Sequence, residues 1–135
     1  MLAHCQCGVL QASVTDDAQP TTVLCHCDDC QRRSGSPFGV IAYFAKEAVT
    51  VSGEAREYRR GSYSGTALTN GFCPHCGSTV YVLLEKAPAL IGVPVGAFAD
   101  PAFPAPVRAV WEQHRHPWVS LPDGIPTFAR GTDGK

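Results

Sequence analysis

Along this chain apolar and polar positions alternate in short stretches, and glycine or proline breaks each stretch before a helical period can build. Val9-Leu10-Gln11-Ala12-Ser13-Val14 partly alternates and ends at Asp16-Asp17. Thr21-Thr22-Val23-Leu24 is β-branched and runs straight into Cys25, while Phe38 to Phe44 is almost continuously apolar, the pattern of a buried strand. Val49-Thr50-Val51, Ser52-Gly53 and Glu54 to Arg60 read as strand, turn and strand. Ser78 to Leu84, Leu90 to Val93 and Val107 to Trp111 complete the set. Helix signals are few: Asp28 to Arg33 predicts one turn ended by Gly35, and Asp100 to Phe103 another.

Thirteen glycines and eleven prolines reinforce this reading, since both residues interrupt long elements. The expected fold is mainly β, a sheet or barrel-like sandwich of short strands with few helical turns. The proline-rich C-terminal third should wrap that sheet as loop and edge, and residues 131–135 should be a frayed tail. Residues 1–130 then form a single domain. At 135 residues with 44% hydrophobic content, such a domain can bury roughly two-thirds of its unfolded surface, so it has a core of its own.

Charge narrows the partners. Eleven basic and twelve acidic residues leave a net charge of −1, unlike the basic face of a dedicated nucleic-acid binder. No apolar run reaches the length that spans a bilayer. The first residues, Met-Leu-Ala-His-Cys, show no basic region followed by an apolar one, so no signal peptide is read and the expected compartment is the cytoplasm.

Seven cysteines, all before residue 77, carry the chemistry: Cys5-Gln-Cys7, Cys25-His-Cys27-Asp-Asp-Cys30 and Cys73-Pro-His-Cys76. An odd count with CxC and CxxC spacing suits metal thiolates better than disulfides. Two four-coordinate sites would need eight sulfurs. Seven make one closed site and one with a vacant corner, the difference between structural and catalytic zinc. Extended backbone points Cys5 and Cys7 the same way, and likewise Cys25 and Cys27. Cys73-x-x-Cys76-Gly77 reads as a zinc knuckle. Cys25, Cys27 and Cys30, close in sequence, most simply share one ion, which leaves Cys5, Cys7, Cys73 and Cys76 for the closed site. Spacing also allows Cys25 and Cys27 to join Cys73 and Cys76, with Cys5, Cys7 and Cys30 left over. A closed site worth ~10–16 kcal/mol of apparent binding energy would match the whole net stability of a domain, about 5–15 kcal/mol. His26 and His75 stand beside these ligands; in an extended segment His26 faces away from its flanking cysteines, which suits support rather than ligation.

These motifs are recognisable together. Cys5-x-Cys7-Gly8, Cys25-His26-Cys27-x-x-Cys30-x-Arg32-x-Ser34-Gly35, Phe72-Cys73-x-x-Cys76-Gly77-Ser78 and the ending His116-Pro-Trp-Val-x-Leu-x-Asp-Gly-Ile-Pro-x-Phe128 resemble the glutathione-dependent formaldehyde-activating enzyme family, which includes centromere protein V. The resemblance implies a β-tent fold around a structural zinc on Cys5, Cys7, Cys73 and Cys76, with Cys25, Cys27 and Cys30 on a second, catalytic zinc. It implies a carbon–sulfur lyase that joins glutathione, or another thiol, to formaldehyde or a related small aldehyde, giving an S-hydroxymethyl thiol. Arg32 or Arg33 would pair with a glutathione carboxylate, and Tyr63, Ser64 and Trp118 are further pocket candidates. The alternative is a non-enzymatic zinc module for interaction or thiol carriage. Two positions depart from the family pattern: Ala3-His4 replaces a common Gly-Gly, and Asn70-Gly71 replaces a common basic residue before Phe-Cys.

Overall fold

A computed structural model of the chain describes residues 1–134; Lys135, the last residue of the expected tail, lies outside them. Among the described residues the backbone forms ten strands and one α-helix, joined by short 3-10 turns. The strands are β1 (Leu2–His4), β2 (Gln11–Val14), β3 (Thr21–Cys25), β4 (Gly39–Ala45), β5 (Val49–Ser52), β6 (Arg56–Gly61), β7 (Ala67–Phe72), β8 (Thr79–Leu84), β9 (Leu90–Pro94) and β10 (Arg108–Val110). The helix α1 spans Asp28–Ser34. The fold is mainly β, as the strand-rich pattern predicts.

Two sheets result. One has three strands in the order β1-β2-β5, the other seven in the order β10-β3-β4-β9-β8-β7-β6. Pairing is antiparallel throughout except for β10, which lies parallel to β3 with Ala109 opposite Leu24. The larger sheet has two working faces, and β4 shows how its sequence separates them. Successive side chains of a strand point to opposite faces. Ala42 and Phe44 join Ala3, Ala12 and Val14 of the small sheet, and Leu10 of its β1–β2 turn, in the main core. Ile41 and Tyr43 point the other way and line a cavity. The near-continuous apolar run of this strand is therefore explained by burial on both faces.

The pattern leaves β1 and β7 unmarked. In β7, Asn70 and Gly71 are poor strand residues, and the strand exists because β6 and β8 flank it; Asn70 pairs with both Tyr58 and Val82. Gly71 is required there by space. A Cβ at that position would fall 2.0 Å from Cζ of the Tyr81 ring. The three residues of β1 are likewise ordered by their partner, with Leu2 opposite Ser13.

The predicted turn of helix after the second cysteine cluster is α1. Gly35 ends it in the left-handed region at φ 69°, donating its N–H to Gln31 O. Asp100 to Phe103 forms a single turn, closed by Phe103 N–H to Asp100 O at 3.0 Å. Beyond β10 the C-terminal segment runs beside that strand: Phe128 N–H donates to Ala109 O at 2.9 Å and Trp111 N–H to Arg130 O at 3.0 Å. This covers a sheet edge that would otherwise be open. Among the described residues no helix is long and apolar enough to cross a membrane.

Candidate metal centres and the cavity beside them

The connections of the strands place the sulfurs. Cys5 and Cys7 lie on the β1–β2 turn, and Cys73 and Cys76 on the β7–β8 turn, so these four residues link the small sheet to the large one. Their sulfurs all lie within 4.8 Å of one another. Cys7 Sγ is 3.6 Å from both Cys5 Sγ and Cys73 Sγ. A tetrahedral zinc with bonds near 2.3 Å separates its sulfurs by about 3.8 Å, so the cluster has the spacing such an ion needs.

Both turns are built alike. Leu10 N–H donates to Cys5 Sγ at 3.2 Å, and His75 N–H to Cys73 Sγ at 3.4 Å. Backbone donors of this kind favour the thiolate. A glycine with positive φ follows the second cysteine of each pair, Gly8 at 83° and Gly77 at 81°, where a side chain would be strained. The Ser78 hydroxyl, through a hydrogen bond to Cys76, is the main reason its thiol sits well below the usual range, at about 5.

The second group forms where β3 ends. Cys25 is the last residue of β3, Cys27 is the N-cap of α1, and Cys30 sits in its first turn. Their sulfurs also lie within 4.8 Å of one another. Cys27 Sγ accepts from Cys30 N–H at 3.4 Å, the bond that a serine or aspartate oxygen makes in most helix caps. Hydrogen bonds from Cys25 and Cys30 hold the Cys27 thiol far below its ordinary range, with the Cys30 N–H and the Arg60 charge helping. Those same contacts with Cys27 and Cys30, joined by burial, push Cys25 up. Three thiolates this close together repel one another and require a cation. The four-cysteine and three-cysteine groups can each hold a metal ion.

What the two groups face differs. Cys5 and Cys73 are part of the main core. Cys25, Cys27 and Cys30 line a cavity of about 230 Å³ on the other face of the large sheet. Its floor is apolar, with Val23, Ile41, Leu68 and Val82 among the contributors. Charged side chains stand around it: Arg33, Arg60, Lys86 and Arg108 against Asp29 and Asp133. Arg60 donates to Asp29 Oδ2 at 3.1 Å, tying β6 to α1. Over one side lies the β6–β7 loop, where Tyr63 stacks on Trp111 with ring centroids 4.3 Å apart and donates to Asp28 Oδ2 at 3.3 Å.

The structure sorts the individual candidates. Arg33 lines the cavity; Arg32, on the exposed side of α1, does not. Tyr63 and Ser64 line it, whereas Trp118 is 71% exposed and rests against His116 outside it. His75 binds Glu54 at 3.0 Å and His4 binds Cys5 O, so neither ring turns to the sulfurs. His26 is fully buried, edge-on to Phe38, with Nε2 3.5 Å from Glu112 Oε2. Burial holds its pKa below the usual histidine value. Gln31 braces this corner from below, donating to His26 O at 2.8 Å and pairing with His116.

The residue that strand reasoning missed is Trp111. It carries φ 60° and ψ 40°, a region that a bulky residue enters at a cost of roughly 1–3 kcal/mol. That kink ends β10 and lays the indole against Cys27 and Cys30. No periodicity marks such a position, and Trp111 reads from sequence as a strand end. Asn70, one of the departures from the family pattern, is also in the wall and only 7% exposed.

Comparison with known proteins agrees with this architecture. The family model described as "Glutathione-dependent formaldehyde-activating enzyme" matches residues 1–114. A solved structure of a Rhodobacter sphaeroides protein superposes with a TM-score of 0.54 at 20% sequence identity, covering 95% of this chain and 99% of that one, a likeness of fold. Among curated proteins no match was found.

Proposed function

The chain belongs to the glutathione-dependent formaldehyde-activating enzyme family, and from that premise we propose that it adds a thiol such as glutathione to formaldehyde or a related small aldehyde, or cleaves the adduct. In the forward direction a carbon–sulfur bond forms, the carbonyl π bond breaks, and the thiol proton ends on the new hydroxyl oxygen. The observation that carries this reading is the position of a three-sulfur group, one ligand short of a tetrahedron, in the wall of a basic cavity.

Cys25, Cys27 and Cys30 would hold a zinc ion there, and a zinc with an open position supplies a means of deprotonating an incoming thiol at neutral pH. The rest is the work of the chain. Arg33 and Arg108 draw in a carboxylate-bearing ligand, since a cleft of one charge sign concentrates the opposite one. Asp29 holds Arg60 at the rim. Trp111 packs against Cys27 and Cys30 and carries Tyr63 tilted against its indole, giving the sulfurs an apolar side. Cys5, Cys7, Cys73 and Cys76 take no part in the reaction and hold a structural zinc between the sheets.

Thiols add to formaldehyde unaided, so the test must measure acceleration. S-Hydroxymethyl thiol formation is followed with zinc-loaded protein, with Cys30→Ser and without protein, across several thiols. Acceleration by the first alone is expected. Equal rates in all three would sink the enzymatic reading, and thiol binding retained under those conditions would favour a carrier.

A further inference from the structure

One buried side chain in the wall of the cavity lacks a hydrogen-bond partner. Asn70 is 7% exposed, and among the described residues nothing hydrogen-bonds its Oδ1. A carboxamide buried in this way gives up the hydrogen bonds it makes in water, and folded proteins seldom leave such a group unpaired without a use for it. The register of the large sheet shows where it points. Tyr43 of β4 lies opposite Gly92, Gly92 opposite Val82, and Val82 opposite Asn70. Residues paired across neighbouring strands share a face, and Tyr43, Val82 and Asn70 line the cavity together. Gly92 keeps that row open, since a Cβ there would fall 2.9 Å from the Tyr43 ring and 2.6 Å from Ile41 Cγ2.

Depth sorts the lining by charge. Val82 and Asn70 are buried, Arg33 and Arg108 are half-buried, and Lys86 is exposed. Arg60 is tied to Asp29. The Tyr43 hydroxyl stays protonated, because burial pushes its pKa up. The cavity is therefore basic at its mouth, apolar along its floor, and polar but neutral at Asn70. A charge brought beside that carboxamide would lose its water without gaining a counter-ion, whereas a neutral donor would gain a partner. We propose that Asn70 determines specificity by accepting a hydrogen bond from a neutral donor, a hydroxyl or an amide N–H, on a ligand whose other end is an anion held at the basic mouth. The class of ligand selected is compact, apolar in the middle, acidic at one end and neutral at the other. This rests on the cavity being the ligand site and not on the thiol chemistry read there.

Single-ring acids suit a cavity of about 230 Å³ and carry neither thiol nor aldehyde. Zinc-loaded full-length protein is titrated calorimetrically with 4-hydroxybenzoate, 4-carbamoylbenzoate, 4-methylbenzoate and terephthalate. Wild type should bind the hydroxyl or the carbamoyl acid roughly three- to tenfold more tightly than the methyl acid, which has the size but no donor. Whichever of the two binds more tightly identifies the donor. Terephthalate, with a second charge in that place, should bind most weakly. In Asn70→Leu the hydroxyl and carbamoyl acids should fall to within about twofold of the methyl acid. Equal affinity of wild type for the three monoacids, terephthalate as tight as the best of them, an unchanged preference in the variant, or binding of none overturns the proposal. Melting supplies a second readout. Asn70→Leu removes an unpaired polar group, so without ligand it should melt about 3–6 °C higher; a lower melting temperature, as loss of a structural hydrogen bond would give, also overturns it. The wild-type comparison needs no variant, and no probe needs turnover, so a failed lyase assay and a failed Asn70 contact are separate results.

Discussion

Cys73 and Cys30 are both buried, and each belongs to a knot of sulfurs drawn within 4.8 Å, yet they stand on opposite faces of the same seven-stranded sheet. Burial does not separate the two groups: the four-cysteine group includes the exposed Cys7, while the three-cysteine group includes the half-buried Cys25. The separation lies in ligand number and surroundings. Four sulfurs on two turns can supply all four ligands of one ion, and they join two sheets across the main core. Three sulfurs around one helix cap leave a corner open beside a cavity with a basic rim. On the proposed reading, a thiolate cluster holds a fold together or meets a ligand according to what packs against it, and one sheet supports both.

The sharpest way to break this comparison is to remove one sulfur from each side. Cys73→Ser should abolish the folded state. The clamp is worth ~10–16 kcal/mol by analogy with zinc-finger peptides, against about 5–15 kcal/mol of net domain stability. Far-ultraviolet circular dichroism and gel filtration would show it. Cys30→Ser should keep the cooperative unfolding transition and lower bound zinc by one ion per chain in elemental analysis. Equal loss of structure in both variants would erase the distinction drawn between the two faces.

A backbone change probes the seam between them. Gly71→Ala forces a Cβ into the Tyr81 ring, 2.0 Å from Cζ, two residues before Cys73. Overpacking of this kind costs about 1–3 kcal/mol or more, read as a lowered melting temperature at full zinc content. Gly39→Ala should be milder. There the Cβ meets the end of Arg33, 2.6 Å away, and that flexible side chain can move. Its displacement should show in weaker binding of carboxylate-bearing thiols more than in melting.

Smallest of all should be the effect of Tyr63→Phe, which deletes the hydroxyl bond to Asp28 but keeps the stack on Trp111. An exposed bond of this type contributes about 1 kcal/mol or less, so stability should barely change. Acrylamide quenching of tryptophan fluorescence should rise if the loop covers the cavity, and unchanged quenching would argue against that role.

Much of this was legible in the chain itself. CxC spacing, a CxxC followed by glycine, and the odd count of sulfurs mark the two sulfur groups that the structure brings together, because those geometries are local and depend on a few torsions. The apolar run at Phe38 to Phe44 marks β4, since burial on both faces leaves no polar position to break it. The strand β7 was not legible, because Asn70 and Gly71 become strand only through β6 and β8. Neither was Trp111, whose backbone is held in an uncommon region by contacts from Tyr63, Cys27 and Arg130. Trp118, equally aromatic and in a recognisable motif, ended on the surface.

The sequence by itself determined the clustering of the sulfurs and the β character of the fold, since short-range spacing and side-chain period act within a few residues. Only the tertiary structure decided which face of the sheet each sulfur group serves, and that Arg33, rather than Arg32, meets the cavity. It also decided that Gly131 to Asp133 return to complete the wall. Those outcomes depend on pairing between segments as distant as β3 and the C-terminal segment beyond β10, and no local pattern encodes where such segments meet.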